Sequence, residues 1–75
     1  MFQSYDEAVS VLKDIRAYSE DLAYLSNFLL KSLTDEEFAK NNIRDDDILN
    51  RKIIDELSAS KEGIIKSVNK LRRMV

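Results

Sequence analysis

The stretch TDEEFAKNNIRDDD, residues 34–47, decides the fold: it holds six of the chain's fourteen carboxylates and interrupts an otherwise regular apolar rhythm. Before it, apolar residues recur at helical spacing over residues 5–33, and after it they recur over residues 48–75. Two amphipathic helices joined by an acidic turn are the direct implication. Within the turn, Thr34 and Glu37 have the spacing of a capping box, and Leu33 and Phe38 occupy the two positions of a hydrophobic staple. A short helix is therefore expected over residues 35–41, stopping at Asn41-Asn42 because asparagine tolerates the left-handed conformation. One of Asp45, Asp46 and Asp47 then caps the next helix, while the others oppose its positive N-terminal dipole.

Outward from the turn, Ser4 and Glu7 form a further capping box, which starts the first helix near Tyr5. At 100° per residue, Ala8, Val11, Leu12, Ile15, Tyr18, Leu22, Leu25, Leu29 and Leu33 fall in one stripe. No glycine or proline intervenes, so this helix is expected over about residues 5–32, roughly 42 Å at 1.5 Å per residue. The last helix is expected over about residues 46–74. Its apolar face carries Ile54, Leu57, Ile64, Val68, Leu71 and Val75, broadened by Leu49, Ile53 and Ile65. Ser58 and Ser60 offer caps, and Gly63 costs about 1 kcal/mol relative to alanine. The apolar phase is nevertheless kept across them, which favours one continuous helix.

Composition limits the classes of function. At 75 residues one hydrophobic core seldom supplies more than ~3 to 5 kcal/mol, and without cysteine or histidine neither disulfides nor a zinc site can supplement it. Association with another chain is the remaining route. The first fourteen residues carry acids and no unbroken apolar run, and no stretch approaches the roughly 20 apolar residues of a membrane span. A single cytoplasmic domain over residues 1–75, with no membrane partner, is the expectation. The net charge of −2 is unevenly spread, at −3 for residues 1–30, −3 for 31–50, zero for 51–59 and +4 for 60–75.

Candidate sites weigh differently against their structural readings. The Asp45-Asp46-Asp47 triplet lacks the alternating acids, the sixth-position glycine and the twelfth-position glutamate of a calcium loop, and reads as capping. Lys61, Lys66, Lys70, Arg72 and Arg73 could neutralise phosphates. Cations also favour a helix C-terminus, and in a hairpin this one would lie beside Asp6 and Glu7. Tyr24, Phe28 and Ala17 project to one side of the main stripe and, with Leu49 and Ile53, make the preferred contact surface. Asn50 and Lys61 interrupt the apolar face of the last helix, either fixing register or, for Lys61, snorkelling. Neither a phosphate loop nor a nucleophile motif occurs, and Lys13, Arg16, Arg51 and Lys52 face solvent in these registers. Neither a cofactor nor a metal is implied, and a non-enzymatic reading follows.

The fold expected is thus all-α, with two long antiparallel helices and a short intervening helix or turn, forming a four-helix bundle as a homodimer. A three-helix bundle broken near Ser58 is the alternative. The expected core comprises Leu12, Ile15, Leu22, Leu25, Leu29, Ile54, Leu57, Ile64, Val68 and Leu71. The function expected is protein–protein interaction by a regulator, inhibitor or chaperone-like adaptor. The second reading is a hairpin dimer that binds nucleic acid through Lys66, Lys70, Arg72 and Arg73.

Overall fold

A computed structural model describes residues 1–41 and 43–75, Asn41 by its backbone alone. Helix α1 spans Tyr5–Thr34 and helix α2 spans Asp47–Arg73, joined by two short 3₁₀ turns, Phe38–Asn41 and Ile43–Asp45. No strand occurs among the described residues. The two long helices run antiparallel, and α2 passes through Ser58, Ser60 and Gly63 without a break, so three separate helices do not form.

The ends of each helix follow from local chemistry. Ser4 has extended backbone, and its Oγ accepts the Glu7 N–H at 3.3 Å. Four hydroxyls along α1 return to its own backbone: Ser19, Ser26 and Thr34 donate to the carbonyls four residues back, and Ser32 to Leu29 O, at 2.7 to 2.8 Å. Their polarity is thereby satisfied locally, which lets a long helix carry them. Thr34 is thus the last residue of α1 rather than the cap of the next turn. Asp35 takes that role instead, its carboxylate accepting the Phe38 N–H at 3.2 Å while its own N–H donates to Lys31 O at 2.9 Å. The short helix expected over residues 35–41 is a 3₁₀ turn beginning at Phe38. The stop expected at Asn41-Asn42 turns on Asn42, which lies outside the described residues.

Among the three aspartates, Asp46 caps α2, with Oδ1 accepting the Leu49 N–H at 2.9 Å. Asp45 is the last residue of the second 3₁₀ turn and Asp47 the first of α2. Asp46→Ala should therefore cost about 1 kcal/mol in urea unfolding, while Asp45→Ala should change stability by no more than a few tenths. Equal losses at both positions would contradict the assignment of the cap.

Arg44 clasps the connector to the hairpin. Its Nε donates to Ser32 O at 2.9 Å and its Nη1 lies 3.3 Å from Glu36 Oε1, while Asn50 Nδ2 donates to Arg44 O at 3.0 Å. Asn50 thus ties α2 to the connector from within the apolar face. At the opposite end the Gln3 N–H donates to Met74 O at 3.1 Å, and Phe2, Ile15 and Leu71 pack around Ala8, Val11 and Met74.

The seam between the helices has a regular register. On α1 it consists of Ala8, Val11, Ile15, Tyr18, Leu22, Leu25, Leu29 and Ser32, and on α2 of Asn50, Ile53, Leu57, Ser60, Ile64, Ser67, Leu71 and Met74. Spacings of three and four alternate in both rows, the signature of helices packed at a shallow angle. All sixteen are buried or half-buried except Tyr18, which stands partly open at the edge. Several are small. Ser32, Ser60 and Ser67 let the backbones approach, and a Cβ added to Gly63 would lie 2.6 Å from Tyr18 Cε1 and Cζ. The result is a thin rod of 52 × 19 × 13 Å with a radius of gyration of 16.5 Å, where a compact chain of this length has about 11 Å.

Candidate interaction surface

Each seam residue has a neighbour one position before and one position after it, and these neighbours generate two flanking rows on each helix. An antiparallel pair is related by an approximate two-fold axis normal to the plane of the two helices, which keeps each face of that plane on its own side. The two preceding rows therefore share one face of the hairpin, and the two following rows share the other. Contacts on the first face bear this out. Glu7 Oε1 lies 3.9 Å from Lys70 Nζ, and Asp21, Tyr24, Glu56 and Ala59 line a common shallow hollow with the seam residues Leu25 and Ser60.

The first face is mostly charged. Of its sixteen positions nine are ionic, including Glu7, Asp14, Asp21 and Glu56. Its aromatic end is partly closed by the connector: Phe38 meets Phe28 edge-on, with centroids 5.4 Å apart, and Lys31 Nζ sits 5.0 Å above the Phe38 ring. Edge-to-face rings and a cation over a ring are each favourable arrangements, so this contact holds the connector down.

The second face is different in kind. Its rows are Val9, Leu12, Arg16, Ser19, Ala23, Ser26, Leu30 and Leu33 on α1, and Arg51, Ile54, Ser58, Lys61, Ile65, Val68, Arg72 and Val75 on α2. All sixteen are exposed, nine are apolar, four are cations, and none is an acid. Leu12 is 48 % exposed, Leu30 60 % and Ile54 54 %, values that core residues do not have. Leu12, Ile54 and Val68, expected in the core, thus lie on this open face. The reason is that each apolar stripe is two rows wide, while one partner helix covers a single row.

Of the contact residues singled out from sequence, Ala17, Tyr24, Phe28 and Leu49 all fall in the preceding rows, on the charged face, and Ile53 alone lies in the seam. Ile53 is buried in the seam, Phe28 is half-buried beside Phe38, and Leu49 is half-buried near the connector. Ala17 and Tyr24 remain exposed on the charged face. Lys66, Lys70 and Arg73 lie on that same face, whereas Arg72 lies on the apolar one, so the cations wrap the end of α2 rather than lining a single groove. Lys61 stands in the middle of the apolar face and Asn50 in the seam.

No protein-family model, curated protein or solved structure matches the chain. Function has to be read from the surface itself.

Area gives that surface a scale. The hairpin exposes 5831 Å², whereas a compact monomer of 8.7 kDa exposes about 4,700 Å². The excess of about 1,100 Å² is spread over all sides of the rod and compares with the roughly 800 Å² that each partner contributes to a standard protein interface. Among the described residues no helix is long and apolar enough to cross a membrane.

Proposed function

We propose that the chain is a non-enzymatic protein–protein interaction module, a regulator, inhibitor or adaptor in kind, whose working surface is the acid-free apolar face. Its first partner is a second copy, and two hairpins joined through this face make a four-helix bundle. The observation that carries the reading is the contrast between the two faces: nine apolar residues and no carboxylate on one, nine charges on the other.

The hairpin's own core supports the same reading. Only Ala8, Val11, Ile53 and Met74 are buried hydrophobics among the described residues, which is little for a free-standing domain. Pairing two apolar faces would bury Leu12, Leu30, Leu33, Ile54, Ile65 and Val68 from each copy and double the number of helices around one core.

Light scattering coupled to size exclusion tests this reading. At tens of micromolar the expected mass is twice 8.7 kDa. A folded, soluble monomer that persists at 100-fold higher concentration would overturn it.

A further inference from the structure

Resting on the proposed apolar-face association, we infer that the second copy docks end for end, with the connector of one hairpin against the open end of its partner. Two independent features of the chain lead to this arrangement: the charge at the two ends of the rod, and the order of residues along the apolar face.

The rod is electrically polar. At the open end, residues 1–16 and 65–75 carry six cations and three acids; at the connector end, residues 31–50 carry three cations and six acids. The ends therefore bear net charges of +3 and −3. Two copies docked with like ends together would set one −3 connector end beside the other. Docked end for end, a +3 end lies beside a −3 end at both ends of a two-fold dimer; the docking faces themselves carry only Arg16, Arg51, Lys61 and Arg72 of each copy, so this attraction acts between the ends as wholes.

The residue order along the face makes the same choice. Tyr18 stands level with Gly63. At equal rise along antiparallel helices, Leu30 is then level with Arg51, Arg16 with Ile65 and Val9 with Arg72. A two-fold axis along the rod places α1 over the partner's α2, so Leu30 would face the partner's Arg51, and Val9 the partner's Arg72. Apolar residues would meet cations at both ends.

A two-fold axis across the rod instead places α1 over the partner's α1 and α2 over the partner's α2. About the midpoint of the face, near Asp21 and Ser60, Leu12 then faces the partner's Leu30, Val9 faces the partner's Leu33, and Ile54 faces the partner's Ile65. The waist of the face, Ser19, Ala23, Ser26 and Ser58, consists of small residues that let the helices approach there. Lys61 comes opposite the partner's Ser58, and Arg51 opposite the partner's Val68 is the one cation set against an apolar residue, where docking with like ends together makes three such pairs. Arg72, at the end of α2, comes beside the partner's Asp47 at the start of its α2.

A single spin label distinguishes the arrangements, because the chain has no cysteine of its own. Thr34→Cys puts one label on the exposed outer side of α1, at its connector end. End-for-end docking sets the two labels roughly 40 Å apart, from thirteen residues on either side of the midpoint at 1.5 Å each. Docking with like ends together holds them within roughly 30 Å, the width of two paired hairpins. The separation is read by pulsed dipolar spectroscopy.

The expected result is one population near the longer value, with a dissociation constant that rises several-fold between 50 and 500 mM NaCl as the end charges are screened. A dimer with the shorter separation, or one that tightens with salt, overturns the end-for-end arrangement and leaves the apolar-face association standing. Loss of dipolar modulation together with a monomer mass overturns the association itself.

Discussion

Replacing Leu30 with lysine should raise the dissociation constant of the dimer about a thousandfold while leaving the hairpin folded. Leu30 is 60 % exposed in the single hairpin, so the substitution removes little from the intramolecular core. In the end-for-end dimer each Leu30 is covered by the partner's Leu12. Losing that burial costs about 1 to 2 kcal/mol per copy, and desolvating an ammonium adds to it. The change occurs twice in a symmetric dimer. A total of about 4 kcal/mol corresponds to about a thousandfold in affinity. Tyr24→Lys, at a residue 72 % exposed on the opposite face, should leave the mass unchanged. Sedimentation of both variants, with helicity checked by circular dichroism, measures the contrast. A dimer that survives Leu30→Lys and is lost with Tyr24→Lys would move the interface to the charged face, beside Phe28.

The secondary structure was readable because its signals are local. The Ser4 cap, the acid run before α2 and the continuity of α2 through Gly63 depend on residues within a turn of each other. The connector was read one residue out of register, since Thr34 and Asp35 are both good caps and only tertiary placement selects between them. The Arg44 clasp joins residues twelve apart in sequence and leaves no periodic trace.

Which half of each apolar stripe is covered was not readable. Leu12 and Ile15 differ little in hydrophobicity, yet Ile15 lies in the seam and Leu12 in the following row. The deciding signal was in residues that a hydrophobicity pattern discounts. Ser32, Ser60 and Ser67 recur at the seam spacing on their helices, and Gly63 lies beside the α2 row, so small size rather than apolar character marked the contact. Aromatic residues make the Tyr24 and Phe28 side conspicuous in the sequence, whereas the open face is built mainly of scattered aliphatics.

Gly63 supplies a sharper test of that close contact, because two opposing effects act at one position. In an exposed helix interior, glycine to alanine stabilises by about 1 kcal/mol. Here the new methyl would lie 2.6 Å from Cε1 and Cζ of Tyr18 and 2.8 Å from Cδ1, so the ring must leave its place against the α2 backbone. Displacing it forfeits the ring's contacts against α2, at about 1 to 3 kcal/mol for a disturbed packing site. The loss should exceed the helical gain. Gly63→Ala is therefore expected to lower the melting temperature by roughly 5 °C at fixed protein concentration, at about 4 to 8 °C per kcal/mol for a domain of this size. In a Tyr18→Ala background the obstacle is gone and only the propensity term remains. There the same substitution should raise the melting temperature by a similar amount. The reversal of sign is the diagnostic, and a double-mutant cycle isolates a coupling of about 2 kcal/mol. If Gly63→Ala stabilises both backgrounds equally, Tyr18 swings aside freely, and the seam would owe its narrowness to Ser60 and Ser67 alone.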